Sequence, residues 1–191
     1  MNLANKLTMF RVVIVPFFVV FMSVSAIPYR FLWALILFAA ASITDMLDGK
    51  IARKYNMVTD FGKFLDPLAD KILVAAALIC FVELSWTYAW VTFVILAREF
   101  LVSGIRLVAA SSEKKAVIPA SIWGKLKTAV TMVAMVVILL LGVLIDDFGI
   151  IGDGFPAGLV RDVLMYLSAL LTVISGIKYV YDYREFIDPS K

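Results

Sequence analysis

The sequence predicts an all-α integral membrane protein, with six transmembrane helices, a short N-terminal amphipathic juxtamembrane helix, and one membrane domain over residues 1–191. Three observations predict it. The chain of 191 residues is 63% apolar, well above the roughly 45–50% of soluble domains, and its mean hydropathy is +0.97. Its charge-free stretches recur along the whole length, at 12–29, 31–44, 72–82, 84–97, 128–145 and 163–177. Its basic residues fall in alternate connections, as they do in multi-pass proteins. A spanning helix takes about 20 residues, so this composition leaves no room for a soluble domain.

Only two of the charge-free stretches reach 18 residues, so several helices must continue past charged residues at one end. The expected spans lie near 11–27, 31–54, 61–83, 86–110, 123–145 and 158–181. Residues 1–10 read as a surface helix with Leu3, Leu7 and Phe10 toward lipid. The basic start and the small residues Val24 and Ala26 imitate a secretory signal, but the apolar run exceeds the usual 7–15 residues, so a first span is expected instead.

With the N-terminus inside, sixteen of the 18 Lys and Arg residues fall on the cytoplasmic side and only Arg30 and Arg161 outside. Asp146, Asp147, Asp153 and Asp162 collect outside. Tyr29, Trp33, Trp86, Tyr88 and Trp90 are expected as outer interfacial anchors, and Tyr179, Tyr181 and Tyr183 as inner ones.

Histidine is absent and the single cysteine, Cys80, lies in an apolar run, so disulfide frameworks, thiolate zinc sites and imidazole catalysis are excluded. Proton chemistry must use carboxylates. Asp45 and Asp48 end the second span at i, i+3 spacing, and Asp66 and Asp70 open the third at i, i+4, each pair on one helix face. Antiparallel helices would bring the two pairs opposite each other. An Asp at a helix centre costs about 2.5–3.5 kcal/mol to insert, less near the interface, so a cationic partner is required. Two divalent ions match four carboxylates, and all-oxygen ligation favours Mg²⁺, then Mn²⁺. Paired hard ions suit displacement at phosphorus. The acids are also compatible with buried salt bridges to Arg53, Lys63 and Lys71, and paired aspartates also suit a small cation transporter. Gly49 and Ala52 leave the backbone open to a bulky ligand or to a close helix. No GxGxxG or GxxxxGK[ST] loop is present, so a nucleotide must be held by metals, cations and close backbone.

The segment Asp45-x-x-Asp48-Gly49-x-x-Ala52-Arg53, eight residues, then Gly62-x-x-x-Asp66-x-x-x-Asp70, resembles the signature of the CDP-alcohol phosphatidyltransferases at every specified position. The resemblance implies a six-helix membrane fold, a homodimer, and two divalent cations, Mg²⁺ or Mn²⁺. It implies that Asp45, Asp48, Asp66 and Asp70 are metal ligands, with Asp70 also the general base. It places Asp48, Gly49, Ala52, Arg53 and Gly62 around the CDP moiety. The segment Asn5-Lys6-Leu7-Thr8-Met9-Phe10-Arg11 is similar to the family's opening Pro-Asn-x-Leu-Thr-x-x-Arg, with Ala4 in place of proline. Asn5 and Thr8 become candidate CDP-lipid contacts, though alone they would be ordinary capping residues.

The stretches 97–106 and 123–128 resemble the phosphatidylglycerolphosphate synthases within that family. The implied reaction transfers a phosphatidyl group from CDP-diacylglycerol to sn-glycerol 3-phosphate at the cytoplasmic face of the cell membrane. Cardiolipin and phosphatidylinositol phosphate synthases are the same-family alternatives. Arg98, Arg106 and Lys125 are the candidate acceptor-phosphate contacts, a role their charge suits, while the positive-inside rule and snorkelling account for the same residues without one. Glu99 would hold Arg98 or Arg106 in place. The expected partners are these two substrates, membrane lipids and a second copy, and not nucleic acid.

Overall fold

A computed structural model describes residues 3–55, 60–111, 121–152 and 154–184, with side chains throughout these except at 3–7, 45–55, 60–68, 70 and 110–111. All regular structure among the described residues is helical: α1 (Leu3–Ser23), α2 (Arg30–Tyr55), α3 (Asp60–Glu83), α4 (Ala89–Ser111), α5 (Ile122–Gly142) and α6 (Ala157–Asp182), with a π-helical turn, Val143–Asp147, extending α5. The boundaries follow the expected spans to within a few residues, because charges, prolines and glycines punctuate the apolar runs. The N-terminal segment is a correction. Residues 3–10, expected as a separate surface helix, form the first turns of α1, since no glycine or proline precedes Pro16 to break it. Phe10 is exposed as expected, but Thr8 and Arg11 are fully buried.

Among the described residues, two helices are long and apolar enough to cross a membrane: α5 with its π extension, Ile122–Asp147, and α6, Ala157–Asp182. Shorter apolar helical stretches are Thr8–Ser23 and Arg30–Thr44. The rest of α2, like the start of α3, carries the charged motif, and α4 bears Arg98, Glu99 and Arg106 within its length.

The chain divides into two compact units: Met1–Ser85 with Met135–Ala157, and Trp86–Ala134 with Gly158–Lys191. In the first, α1 packs along both α2 and α3. Phe18, Met22, Phe31, Phe38, Leu78 and Phe81 are buried, and the Phe18 and Phe38 rings lie 6.0 Å apart. Buried Ala34, Ala41, Ala69 and Ala77 let backbones come close, the usual means of packing helices where lipid removes the hydrophobic drive. The Ser23 hydroxyl donates to Glu83 Oε2 at 2.9 Å, and Arg30 Nη1 donates to the Met22 carbonyl at 3.3 Å. The end of α1 thus meets the start of α2 and the end of α3, so α2 runs antiparallel to both. At the same end the Leu32 amide donates to Asp147 Oδ2 at 2.7 Å. Asp147 thereby caps the first turn of α2, where orphan amides and the helix dipole favour a carboxylate.

In the second unit, α4 and α6 run side by side in the same direction. Tyr88 and Trp90, at the start of α4, stack on Tyr166, and farther along Arg106 Nε donates to Tyr179 Oη at 3.2 Å. Buried Ser168, Thr172 and Ser175 form a small polar stripe on α6 whose hydroxyls donate to the carbonyls of Leu164, Ser168 and Thr172. No polar group on that stripe then needs a partner from another helix. Two aromatic expectations are corrected here. Trp86 is buried with the Arg161 guanidinium 4.2 Å above its ring, and Tyr179 is buried between Arg106 and Tyr183, so both pack inside the unit rather than anchoring it in lipid. Tyr29, Trp33, Tyr88, Trp90 and Tyr181 remain exposed.

Candidate active site

The signature residues occupy two helices. Asp45, Asp48, Gly49, Ala52 and Arg53 lie on α2, and Gly62, Asp66 and Asp70 on α3, while Asn5 and Thr8 lie on α1. Of these only Thr8 is among the described side chains, and it is fully buried. The fold nevertheless fixes their depth. From the end joined by the Ser23–Glu83 and Arg30–Met22 hydrogen bonds, at about 1.5 Å per residue, Thr8 lies about 22 Å along α1, Asp45 about 22 Å along α2 and Asp70 about 20 Å along α3. Asn5, Asp48 and Asp66 all lie about 26–27 Å along. Three helices therefore bring all four aspartates and both α1 residues to one level of the unit, far from its joined end. Sequence spacing alone put each pair on a face. The antiparallel packing adds the common level.

Arg11, one turn past Thr8 on α1, is fully buried at about the same level, roughly 18 Å from Ser23. A guanidinium is rarely withdrawn from solvent without an anionic or hydrogen-bonding environment. Its sequence signal was its place in the opening segment.

The donor set fits hard divalent cations: four carboxylates on two helices at one level, without competing imidazole or thiolate. Among the described residues no group of three or more His, Cys, Asp and Glu side chains could hold a metal, and the side chains of the four aspartates lie outside that set.

The cations of the second unit sort into two kinds. Arg98 and Lys127 are withdrawn, with side-chain exposures of 11% and 3%, and both reach Glu99 Oε1, Arg98 at 3.4 Å and Lys127 in direct contact. Two glycines make room for Arg98: a Cβ on Gly124 would stand 3.5 Å from Nη2, and one on Gly176 would stand 3.1 Å from Cγ. Arg106 and Lys125 are exposed, Arg106 pairing with Tyr179 Oη. Glu99 therefore holds Arg98, not Arg106. Lys127, which sequence reasoning passed over for Lys125, is the lysine that joins them, and only the rotation of α5 about its axis tells the two apart. Lys114 and Lys115, expected on the cytoplasmic side, lie outside the described residues.

Comparison with known proteins gives the decisive observation. The family model for CDP-alcohol phosphatidyltransferase matches residues 1–174. The chain belongs to the CDP-alcohol phosphatidyltransferase family. The match runs through the signature on α2 and α3, the Arg98–Glu99–Lys127 cluster and most of α6. A CDP-diacylglycerol–glycerol-3-phosphate 3-phosphatidyltransferase of Bacillus subtilis is 40% identical over 189 residues, covering 93% of each chain. Proteins of the same name from Rickettsia bellii and Haemophilus influenzae are 40% identical over 179 residues and 37% over 182, covering 93% and 91% of those proteins. The eight-residue gap inside the signature, 54–61, runs from the last residues of α2 to the first residues of α3.

Proposed function

We propose that this chain is an integral membrane transferase that moves the phosphatidyl group of CDP-diacylglycerol onto the 1-hydroxyl of sn-glycerol 3-phosphate. The products are phosphatidylglycerol phosphate and CMP. One observation carries the reading: relatives bearing this enzyme's name are similar over almost the full length of both chains, at about 40% identity. These relatives bear the name of the transferase and not that of a cation transporter. Among family members, the names of these relatives favour glycerol 3-phosphate over the acceptors of cardiolipin and phosphatidylinositol phosphate synthesis.

In the proposed reaction the acceptor hydroxyl oxygen attacks the lipid-side phosphorus, the bond from that phosphorus to the CMP oxygen breaks, and Asp70 takes the hydroxyl proton. Asp45, Asp48, Asp66 and Asp70 would hold two divalent cations, Mg²⁺ or Mn²⁺, which supply positive charge to the diphosphate. Asn5, Thr8, Asp48, Gly49, Ala52, Arg53 and Gly62 form the CDP-lipid contact set. The common level of these residues on α1, α2 and α3 supports that assignment, because one bound headgroup could touch all three helices there. Arg98, Arg106 and Lys125 are proposed for the acceptor phosphate.

The antiparallel run of α2 against α1 and α3, together with the placing of the basic residues along the chain, supports six membrane crossings in one domain, with both termini and the acidic level at the cytoplasmic face. A homodimer completes the proposal. The test is purified protein with CDP-diacylglycerol, Mg²⁺ or Mn²⁺ and a panel of acceptors, followed for CMP release. Release that depends on glycerol 3-phosphate is expected. Equal release with glycerol or inositol phosphate would overturn the acceptor assignment.

A further inference from the structure

A cleft of about 660 Å³ opens along the second unit between α4 and α6. Phe93, Leu101, Val173 and Ile177 form exposed parts of its walls. Of the two hydroxyls among its described residues, that of Thr172 is already committed to the Ser168 carbonyl at 2.6 Å, and the other is the Tyr181 phenol. Among the described residues that line it, the charged ones are Arg98 and Arg184, both cationic. Arg98 Cγ lies against the backbone of Gly176, and its guanidinium bonds Glu99. Arg184 stands at the other extreme, 5.0 Å over the Tyr181 ring, just past the end of α6.

The length and polarity of the cleft bear on its occupant. From Thr172 to Tyr181 the cleft runs about 14 Å along α6, close to the roughly 15 Å of one leaflet's hydrocarbon. An apolar trough one leaflet deep, ending at an interfacial tyrosine and then an arginine, has the polarity of a phospholipid whose headgroup is anionic. We propose that this cleft is a binding site for an anionic phospholipid of the cytoplasmic leaflet, with an acyl chain between α4 and α6 and the phosphate at Arg184. The proposal rests on the membrane orientation given under the proposed function, and it uses none of the signature residues.

The test is native mass spectrometry of the full chain released from nanodiscs containing equal phosphatidylglycerol and phosphatidylcholine, with CMP release measured on the same preparations. Wild type should retain at least one phospholipid per chain, enriched in phosphatidylglycerol. Ile177→Trp, and separately Val173→Phe, should fill the cleft and remove one retained lipid per chain. Arg184→Gln should keep the lipid but lower the phosphatidylglycerol preference about fivefold, the worth of one cation near an anionic headgroup. Unchanged retention in both filling variants, or no anionic preference in wild type, would overturn the site. A changed oligomeric state with unchanged lipid would make the cleft an interface between copies and overturn it equally. Absence of CMP release from wild type with lipid retention intact would refute the enzymatic reading and leave this site standing.

Discussion

Replacing Lys127 by Met keeps the buried stem of the side chain and removes its charge, leaving Glu99 with Arg98 as its remaining described ion-pair partner. Breaking a fully buried pair costs about 3–5 kcal/mol, but the Glu99 side chain is 22% exposed, so water recovers part of that and about 2–3 kcal/mol is expected. For a chain of this size that lowers the melting temperature by about 4–12 °C. Lys125→Met, two residues away on the exposed side, should change stability by less than about 0.5 kcal/mol. The assay is thermal unfolding in detergent micelles, followed by circular dichroism, for both variants, for Glu99→Gln and for Glu99→Gln with Lys127→Met. The double variant should lose less than the sum of the singles, by about 1–2 kcal/mol, because the two residues touch. Equal effects at Lys125 and Lys127, or strict additivity with Glu99, would refute the assignment of Lys127 as the buried cation of this cluster.

Asn in place of any one of Asp45, Asp48, Asp66 or Asp70 should abolish CMP release with helical circular dichroism unchanged, and excess EDTA should do the same reversibly; full activity in EDTA would exclude divalent cations from the mechanism. Arg106→Ala and Lys125→Ala should raise KM for glycerol 3-phosphate about 10- to 150-fold and leave that for CDP-diacylglycerol within a factor of two, as expected for lost contacts to a phosphate. Parallel changes in both constants would assign these residues to anchoring instead. In a Cys80→Ser background, a cysteine at Asp147 should react with an impermeant reagent from outside and one at Lys114 only after permeabilisation. The reverse pattern would invert the topology.

The helices were legible in the sequence because lipid leaves the backbone few alternatives: an apolar run in a bilayer must satisfy its own hydrogen bonds, so punctuation by charge, proline and glycine marks the boundaries. The same rule misled at residues 3–10, where amphipathic composition suggested a separate helix but nothing in the chain interrupts α1. The acidic motif was legible because i, i+3 and i, i+4 spacings on helices are fixed by the 3.6-residue turn. Tertiary structure alone decided how the helices are paired. The Ser23–Glu83, Arg30–Met22 and Leu32–Asp147 hydrogen bonds join one end of α1, α2 and α3, and so bring Thr8, Asp45 and Asp70 to one level. It also decided which charges are buried: Arg98 and Lys127 on Glu99 rather than Arg106 and Lys125, and Trp86 and Tyr179 under arginines rather than in lipid. Those choices depend on the rotation of each helix about its axis and on the space left by Gly124 and Gly176, and neither is written in local composition.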